Sequence, residues 1–328
     1  MTPKIGKIVV ADLKKRSKKG LRLAKQILKA EKIGNPTLRE ALEHYVEYWS
    51  DFVHPGLFSI ACEAVGGSID NLRLAQASIA MMAAAFDIHD DILDKSKVKY
   101  GIPTVYGKFG AEIALLLGDA LLIESFKLFI DSTRMLPKKT IRSALSTIKK
   151  LTFEVGNAHV FEVVIKKGRE VTPDNYMQVI KMKAAGIELD MHLGALLGGG
   201  TTKDVKVLAK LGRIIGILGM LREEFIDIFE VEELSQRIAV QDLPLPIIFA
   251  MRDHKAKIKL SSIISKPKIT NEDVDELLDI VFESDKIVNL KRKMQCLQRQ
   301  GLELIKVIHN NEPKNKLESI LLFMLEDL

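Results

Sequence analysis

The sequence is poor in everything that staples, spans or binds by bulk charge. Only two of its 328 residues are cysteines, Cys62 and Cys296. That excludes a disulfide framework and points to a reducing compartment. No run reaches the ~18–20 uninterrupted apolar residues of a spanning helix. The longest, Ile79–Ile88 and Ile113–Ile123, are short, and each carries an aspartate, Asp87 and Asp119. The charged start has no apolar stretch behind it, so it does not read as a secretory signal. Charge of one sign is also scarce: 49 Lys and Arg against 43 Asp and Glu leave +6, too little to indicate nucleic acid. Alternating β-branched runs bounded by Asn-Gly or Asp-Gly turns are missing. So are a Gly-rich phosphate loop, a Ser-His-Asp order and a Cys/His zinc spacing. The expectation is a soluble, cytoplasmic protein without a nucleic-acid partner.

What is present is helical. Leu72, Ala75, Ile79, Met82 and Phe86 recur at three- and four-residue steps, as do Ile214, Leu218, Leu221 and Phe225. Breaks are expected at Gly34-Asn35-Pro36, Gly66-Gly67, Gly101-Ile102-Pro103, Leu136-Pro137, Thr172-Pro173, Gly198–Gly200, Leu243–Pro246 and Lys266-Pro267. With 47% apolar and 28% charged residues, the pattern predicts one all-α domain over residues 1–328, with roughly ten or more helices. Residues 4–32 carry eleven Lys or Arg and only Asp12 and Glu31 as acids. Leu13, Leu21, Ala24, Ile27 and Leu28 form a stripe beneath them. This segment reads as a solvated helix face, with at most peripheral membrane contact.

Two acidic clusters carry the chemistry. Asp87-Ile88-His89-Asp90-Asp91-Ile92-Leu93-Asp94 ends the apolar run Ala75–Phe86 and precedes a basic loop. Asp90 and Asp94 are four apart and share a helix face; Asp91 flanks them. Acids at a helix C-terminus meet the negative end of the macrodipole, at ~0.3–1 kcal/mol each, so a positive partner is required. Lys95, Lys97 and Lys99 are one candidate, and a divalent cation of the Mg²⁺ type, which prefers oxygen ligands, is the other. The second cluster, Arg222-Glu223-Glu224-Phe225-Ile226-Asp227, repeats the geometry at the end of Ile214–Leu221. Two such clusters facing each other across a cavity would hold a Mg²⁺-diphosphate.

The stretch from Asp87 to Gly110 resembles the first aspartate-rich region of the trans-isoprenyl diphosphate synthases, whose pattern is His-Asp-Asp-x-x-Asp followed by Arg-Arg-Gly-x-Pro-Thr. Gly118-Asp119-Ala120-Leu121-Leu122 resembles their Gly-Asp-Ala-Leu segment, Lys183-Ala184-Ala185 their Lys-Thr-Ala segment, and Leu193–Gly199 the Gly-Ala-x-x-Gly stretch after it. Glu223–Asp227 falls where their second acidic motif stands. The resemblance spans roughly residues 40–250. It implies an isoprenoid-synthase-type helical bundle around a central cavity, usually a homodimer, using Mg²⁺. The implied activity is prenyl transfer: an allylic diphosphate is ionised and condensed with isopentenyl diphosphate to a short- or medium-chain polyprenyl diphosphate. It further implies Asp90, Asp91, Asp94, Glu223, Glu224 and Asp227 as metal ligands, with Lys183 and Lys99 on the allylic diphosphate.

The second-diphosphate half departs from that pattern. Asp51 and Phe52 stand where a Lys and an Arg are usual, leaving His54 as the one cationic candidate before Pro55. Tyr100 replaces an Arg and Ala83 a His, and Gly219-Met220 replaces Phe-Gln. The segment Glu230–Leu243 has no Lys. These losses keep open an enzyme with another acceptor, a cyclase or lyase, or a regulatory subunit partnering an intact synthase. His89, His159 and Glu162 stay unassigned. Below the first motif, Phe86 lies one helical turn from Asp90 and Met82 two turns. With the small Ala85, they are expected to line the tail pocket, Phe86 as its floor.

Overall fold

The computed structural model describes residues 4–99, 101–167, 171–239, 242–326 and 328. It divides into two compact units, one of Met1–Thr147, Leu189–Ala209 and Ile308–Lys316, the other of Ile148–Glu188, Lys210–Val307 and Leu317–Leu328. The helices are α1 (Ile5–Ala30), α2 (Pro36–Tyr48), α3 (Val53–Ala64), α4 (Arg73–Leu93), α5 (Val105–Phe109), α6 (Ala111–Thr133), α7 (Lys138–Lys167), α8 (Pro173–Lys183), α9 (Ala185–Leu197) and α10 (Thr202–Ile226). They continue with α11 (Val231–Ala239), α12 (Leu245–Ala250), α13 (His254–Ile264), α14 (Asn271–Glu283), α15 (Asp285–Ile305) and α16 (Asn311–Phe323). The all-α expectation holds, and each predicted Gly/Pro break falls between helices or at the first residues of one, as Pro36, Pro173 and Pro246 do. One small hairpin, β1 (Val98–Lys99) with antiparallel β2 (Ile102–Pro103), lies where a loop was expected. No helix among the described residues is long and apolar enough to cross a membrane.

In the first unit the core joins Ala24 and Leu28 of α1, Ala41, Leu42 and Val46 of α2, Ala77, Met81, Ala84, Ala85 and Ile88 of α4, and Ala114, Leu117 and Leu121 of α6. The alanines on α4 let it lie close against α6, its most extensive neighbour. Gly118 shows how close. A Cβ there would fall 2.4 Å from His89 Nε2, so the glycine makes room for the imidazole, which reaches Asp119 Oδ1 at 3.3 Å. On α1 the buried positions are Gly6, Val9, Leu13, Ser17, Gly20, Ala24 and Leu28. The lysines of α1 lie off this seam, and all but the half-buried Lys25 are exposed.

The end of α4 is built by a Schellman pattern. Ser96 N–H donates to Asp91 O at 2.9 Å and Lys95 N–H to Ile92 O at 3.3 Å. Lys95 takes the left-handed conformation, φ 56°, at a cost of ~1–2 kcal/mol for a residue with a Cβ. The turn sends the chain back, and Gly101, φ 74°, reverses it again into β2. Thr104 fixes the return: its hydroxyl donates to Ser96 O at 2.7 Å and accepts from Gly107 N–H at 2.9 Å. The hairpin thereby carries Lys99 onto the acidic end of α4.

The second unit has its own core, with Phe225, Ile228, Leu234, Leu245, Leu277, Val281 and Leu290 nearly inaccessible. Phe282 stacks on Phe225 at 6.3 Å and tilts against Phe229 at 5.8 Å. Two of its helices show how their starts are capped. Thr172 accepts from Asn175 N–H ahead of Pro173, and Thr270 with Asp273 closes a reciprocal capping box on α14.

Candidate active site

Three carboxylates lie in the last turns of α4, and a fourth, Asp94, directly follows it. Asp91 is buried; Asp90 is partly buried on a face it shares with Phe86 and Ala83; Asp87 and Asp94 are exposed. Lys99 Nζ stands 2.8 Å from Asp87 Oδ1 and 2.6 Å from Asp91 Oδ1. Of the lysines offered by the sequence, this one is delivered to the cluster; Lys95 and Lys97 are exposed. Burial pushes the Asp91 carboxyl up to about 6, with Lys99 opposing and Asp87 and Asp90 adding. Burial would lower the Lys99 ammonium, but Asp87 and Asp91 hold it above its ordinary value. Met82 and Ala85 are buried, and Ala85 belongs to the core cluster.

Among the described residues no three His, Cys, Asp or Glu side chains converge as a preformed metal cage. Mg²⁺ rarely needs one. It takes one or two carboxylates and fills its shell with water and phosphate oxygens. Asp90 and Asp94, one turn apart in an all-oxygen set, fit that donor chemistry.

In the same unit, Asp51 Oδ1 caps α3, accepting from Val53 N–H at 2.9 Å and His54 N–H at 3.4 Å. Asp51 Oδ2 is buried without a hydrogen-bond partner. His54 Nδ1 lies 2.6 Å from Asp190 Oδ2, and Asp190 is 3% exposed. Burial would lower the His54 imidazole, but Asp190 and Asp51 raise it to about 9. Burial raises the Asp190 carboxyl to about 6 against the pull of His54. The predicted cation His54 is therefore charged, but beside two acids. Ala83 is partly buried on α4; Tyr100 lies outside the described residues.

In the second unit, Glu223, Glu224 and Asp227 end α10. Glu224 Oε1 accepts from the Tyr176 hydroxyl at 2.7 Å, and Oε2 from Leu245 N–H at 2.7 Å. Arg237, on α11, donates to both Glu224 oxygens and to Asp227 Oδ2. Burial raises all three carboxyls; Arg237 opposes it at Glu224 and Asp227. Lys183 Nζ lies 2.6 Å from Glu162 Oε2. Lys166 bridges Glu162 at 3.0 Å and Asp242 at 3.1 Å. Burial would raise the Glu162 carboxyl, but these two lysines hold it below its usual range.

The polyprenyl synthetase family profile matches residues 35–281. The chain belongs to the polyprenyl synthetase family of prenyltransferases. It is 24% identical over 266 residues to a short-chain isoprenyl diphosphate synthase of Methanothermobacter thermautotrophicus, covering 81% of this chain and 78% of that protein. It is also 24% identical over 269 residues to a geranylgeranyl diphosphate synthase of Sulfolobus acidocaldarius, covering 79% and 81%. The structure superposes on a geranylgeranyl pyrophosphate synthetase of Pyrococcus horikoshii with a TM-score of 0.84 at 23% identity, over 98% of this chain and 99% of that one.

Against this polyprenyl synthetase pattern, sequence reasoning missed Arg237, Tyr176 and the role of Glu162. The segment Glu230–Leu243 reads as a loop without Lys, yet it holds α11 and an arginine. The available signal was the lone Arg ten residues after Asp227, on a short helix opened by Glu232 and Glu233. Glu162 was visible only as an acid of unknown purpose; its lysine partners come from α7 and α8.

Proposed function

We propose that this polyprenyl synthetase ionises an allylic diphosphate and condenses it with isopentenyl diphosphate to a short- or medium-chain polyprenyl diphosphate. The observation that carries the proposal is the acidic end of α4. Four carboxylates lie within eight residues, and Lys99 pairs with two of them, Asp87 and Asp91. Such a site suits a substrate that arrives with divalent cations on its phosphates. Asp90 and Asp94 would hold Mg²⁺, which would stabilise the charge developing on the departing diphosphate. Asp91 and Asp87 position Lys99 beside it. Phe86 and Met82, one and two turns below Asp90, line the path of the apolar tail. The names of the relatives support isopentenyl diphosphate as acceptor and a short product. Leu116, Ile123 and Ile130, spaced by seven on α6 and 56–70% exposed, support a homodimer through that helix.

One observation favours a second reading. Asp51 and Asp190 flank His54 where a second diphosphate would need cations, which fits an acceptor that is not a diphosphate. Both readings meet in one experiment. The purified chain is incubated with Mg²⁺, an allylic diphosphate and labelled isopentenyl diphosphate, following labelled product and released pyrophosphate. Labelled product is expected, and Asp90→Asn with Asp94→Asn should reduce it roughly a hundredfold, the ~3 kcal/mol of a lost transition-state charge contact. Pyrophosphate release without labelled product would select the second reading. Neither product would overturn the prenyltransferase assignment for the isolated chain.

A further inference from the structure

The polyprenyl synthetase resemblance places a metal at the second acidic cluster as well, and there the side chains do not fit one. We infer that Arg237 is the resident cation of that cluster, so that Glu224 and Asp227 hold a guanidinium and no metal ion. A guanidinium has five N–H donors, and each has an acceptor here. Nε donates to Asp242 O at 3.0 Å. Nη1 reaches Asp227 Oδ2 and Glu224 Oε1. Nη2 reaches the Tyr176 hydroxyl oxygen at 3.1 Å and both oxygens of Glu224 at 3.2–3.3 Å.

Glu224 is saturated in turn. A carboxylate offers about four lone-pair positions. Its Oε1 takes the Tyr176 O–H and Arg237, and its Oε2 takes Leu245 N–H and Arg237. A metal ion could bind Glu224 only by displacing a hydroxyl, a backbone N–H or a guanidinium from a residue pair whose side chains are 11–14% exposed. Glu223 and Asp227 remain four apart, but a dication on them would share the Asp227 carboxylate with the guanidinium, charge against charge.

The arrangement replaces a metal that comes and goes with a charge the chain cannot lose, since arginine stays protonated. Metal loading of this protein then belongs to the α4 cluster. The inference deepens the proposed prenyltransferase reading and rests on it, so its test uses a background that separates the two. Protein-bound manganese is counted by ultrafiltration at saturating Mn²⁺ and inorganic pyrophosphate. In wild type, all of it should disappear with Asp90→Asn and Asp94→Asn. Adding Arg237→Gln to that double variant should create a site and restore bound manganese, and Glu224→Gln should remove it again. Manganese retained by the double variant and lost with Glu224→Gln would overturn the inference. Manganese unchanged from wild type to the double variant would instead overturn the role of Asp90 and Asp94. Should Arg237→Gln not fold, the double variant with and without Glu224→Gln still decides. A thermal-unfolding cycle reads the pair independently: the melting temperature should fall further for Arg237→Met than for Arg237→Met with Glu224→Gln. Additive losses would also overturn the inference.

Discussion

Lys99 Nζ lies 2.6 Å from Asp91 Oδ1 and 2.8 Å from Asp87 Oδ1, so a two-residue strand supplies the counter-charge at the end of α4. Asp91 is only 5% exposed in its side chain, whereas Lys99 is 38% exposed. Lys99→Met leaves a buried carboxylate without its cation. Discounted for the exposure of the lysine, it should cost about 1–2 kcal/mol at pH 7. Lys99→Arg should recover most of that. The folded Asp91 carboxyl titrates near 6, above the ordinary 3.8, so ionising it works against the folded state. The deficit of Lys99→Met should therefore shrink as pH falls below about 6 and Asp91 takes up a proton. Urea unfolding at pH 7 and pH 5 reads both effects; a pH-independent deficit would contradict the pairing.

The His54–Asp190 pair predicts alkaline sensitivity. The folded imidazole is raised to about 9 from 6.5. Its contribution is therefore complete below about 6.5 and lost as pH rises through about 9. Wild type should lose roughly 1–2 kcal/mol between these limits, after allowance for the partly open ring. His54→Gln with Asp190→Asn, which removes both titrating partners, should be flat across the window. Parallel melting-temperature profiles for the two proteins would exclude the pair as the cause.

Local chemistry made much of this legible. The Gly and Pro punctuation marks helix ends because those residues fail in helix interiors, and the i, i+4 spacing of Asp90 and Asp94 fixes their shared face whatever the tertiary structure. What stayed hidden depends on distance along the chain. Arg237 meets Tyr176 across 61 positions, His54 meets Asp190 across 136, and no periodicity encodes either. The same holds for the choice of Lys99 over Lys95 and Lys97. It follows from the left-handed turn at Lys95 and the hairpin register, Lys99 opposite Ile102, and neither shows as a strand pattern.

Asp51 is predicted to weaken isopentenyl diphosphate binding. Its Oδ2 is buried and unbonded, and it shares the field of His54 with Asp190. A diphosphate brought near these acids is repelled. Asp51→Asn removes the charge and keeps the cap on α3, since Asn caps as well as Asp. Affinity for isopentenyl diphosphate should rise roughly tenfold, ~1.4 kcal/mol, with stability little changed. Calorimetry on both proteins measures it; equal affinities would show that Asp51 does not face the acceptor.

Phe86 should limit product length to about three to four isoprene units. It and Ala83 stay partly open on the face of α4 that carries Asp90, while Met81 and Ala85 are fully buried in the core. At 1.5 Å rise per residue, Phe86 lies ~6 Å below Asp90 along the helix and Met82 ~12 Å below. A tail growing down this face is driven by its own burial and meets an aromatic ring before a flexible thioether. Phe86→Ala removes the ring without opening the core, because the ring is not part of the cluster around Met81 and Ala85. The variant should stay folded, keep its turnover and lengthen its product by at least about one unit, with the buried Met82 as the next barrier. Chromatography of dephosphorylated products from the two proteins reads the ladder directly. An unchanged ladder with retained activity would assign Phe86 to packing and move the floor to another helix.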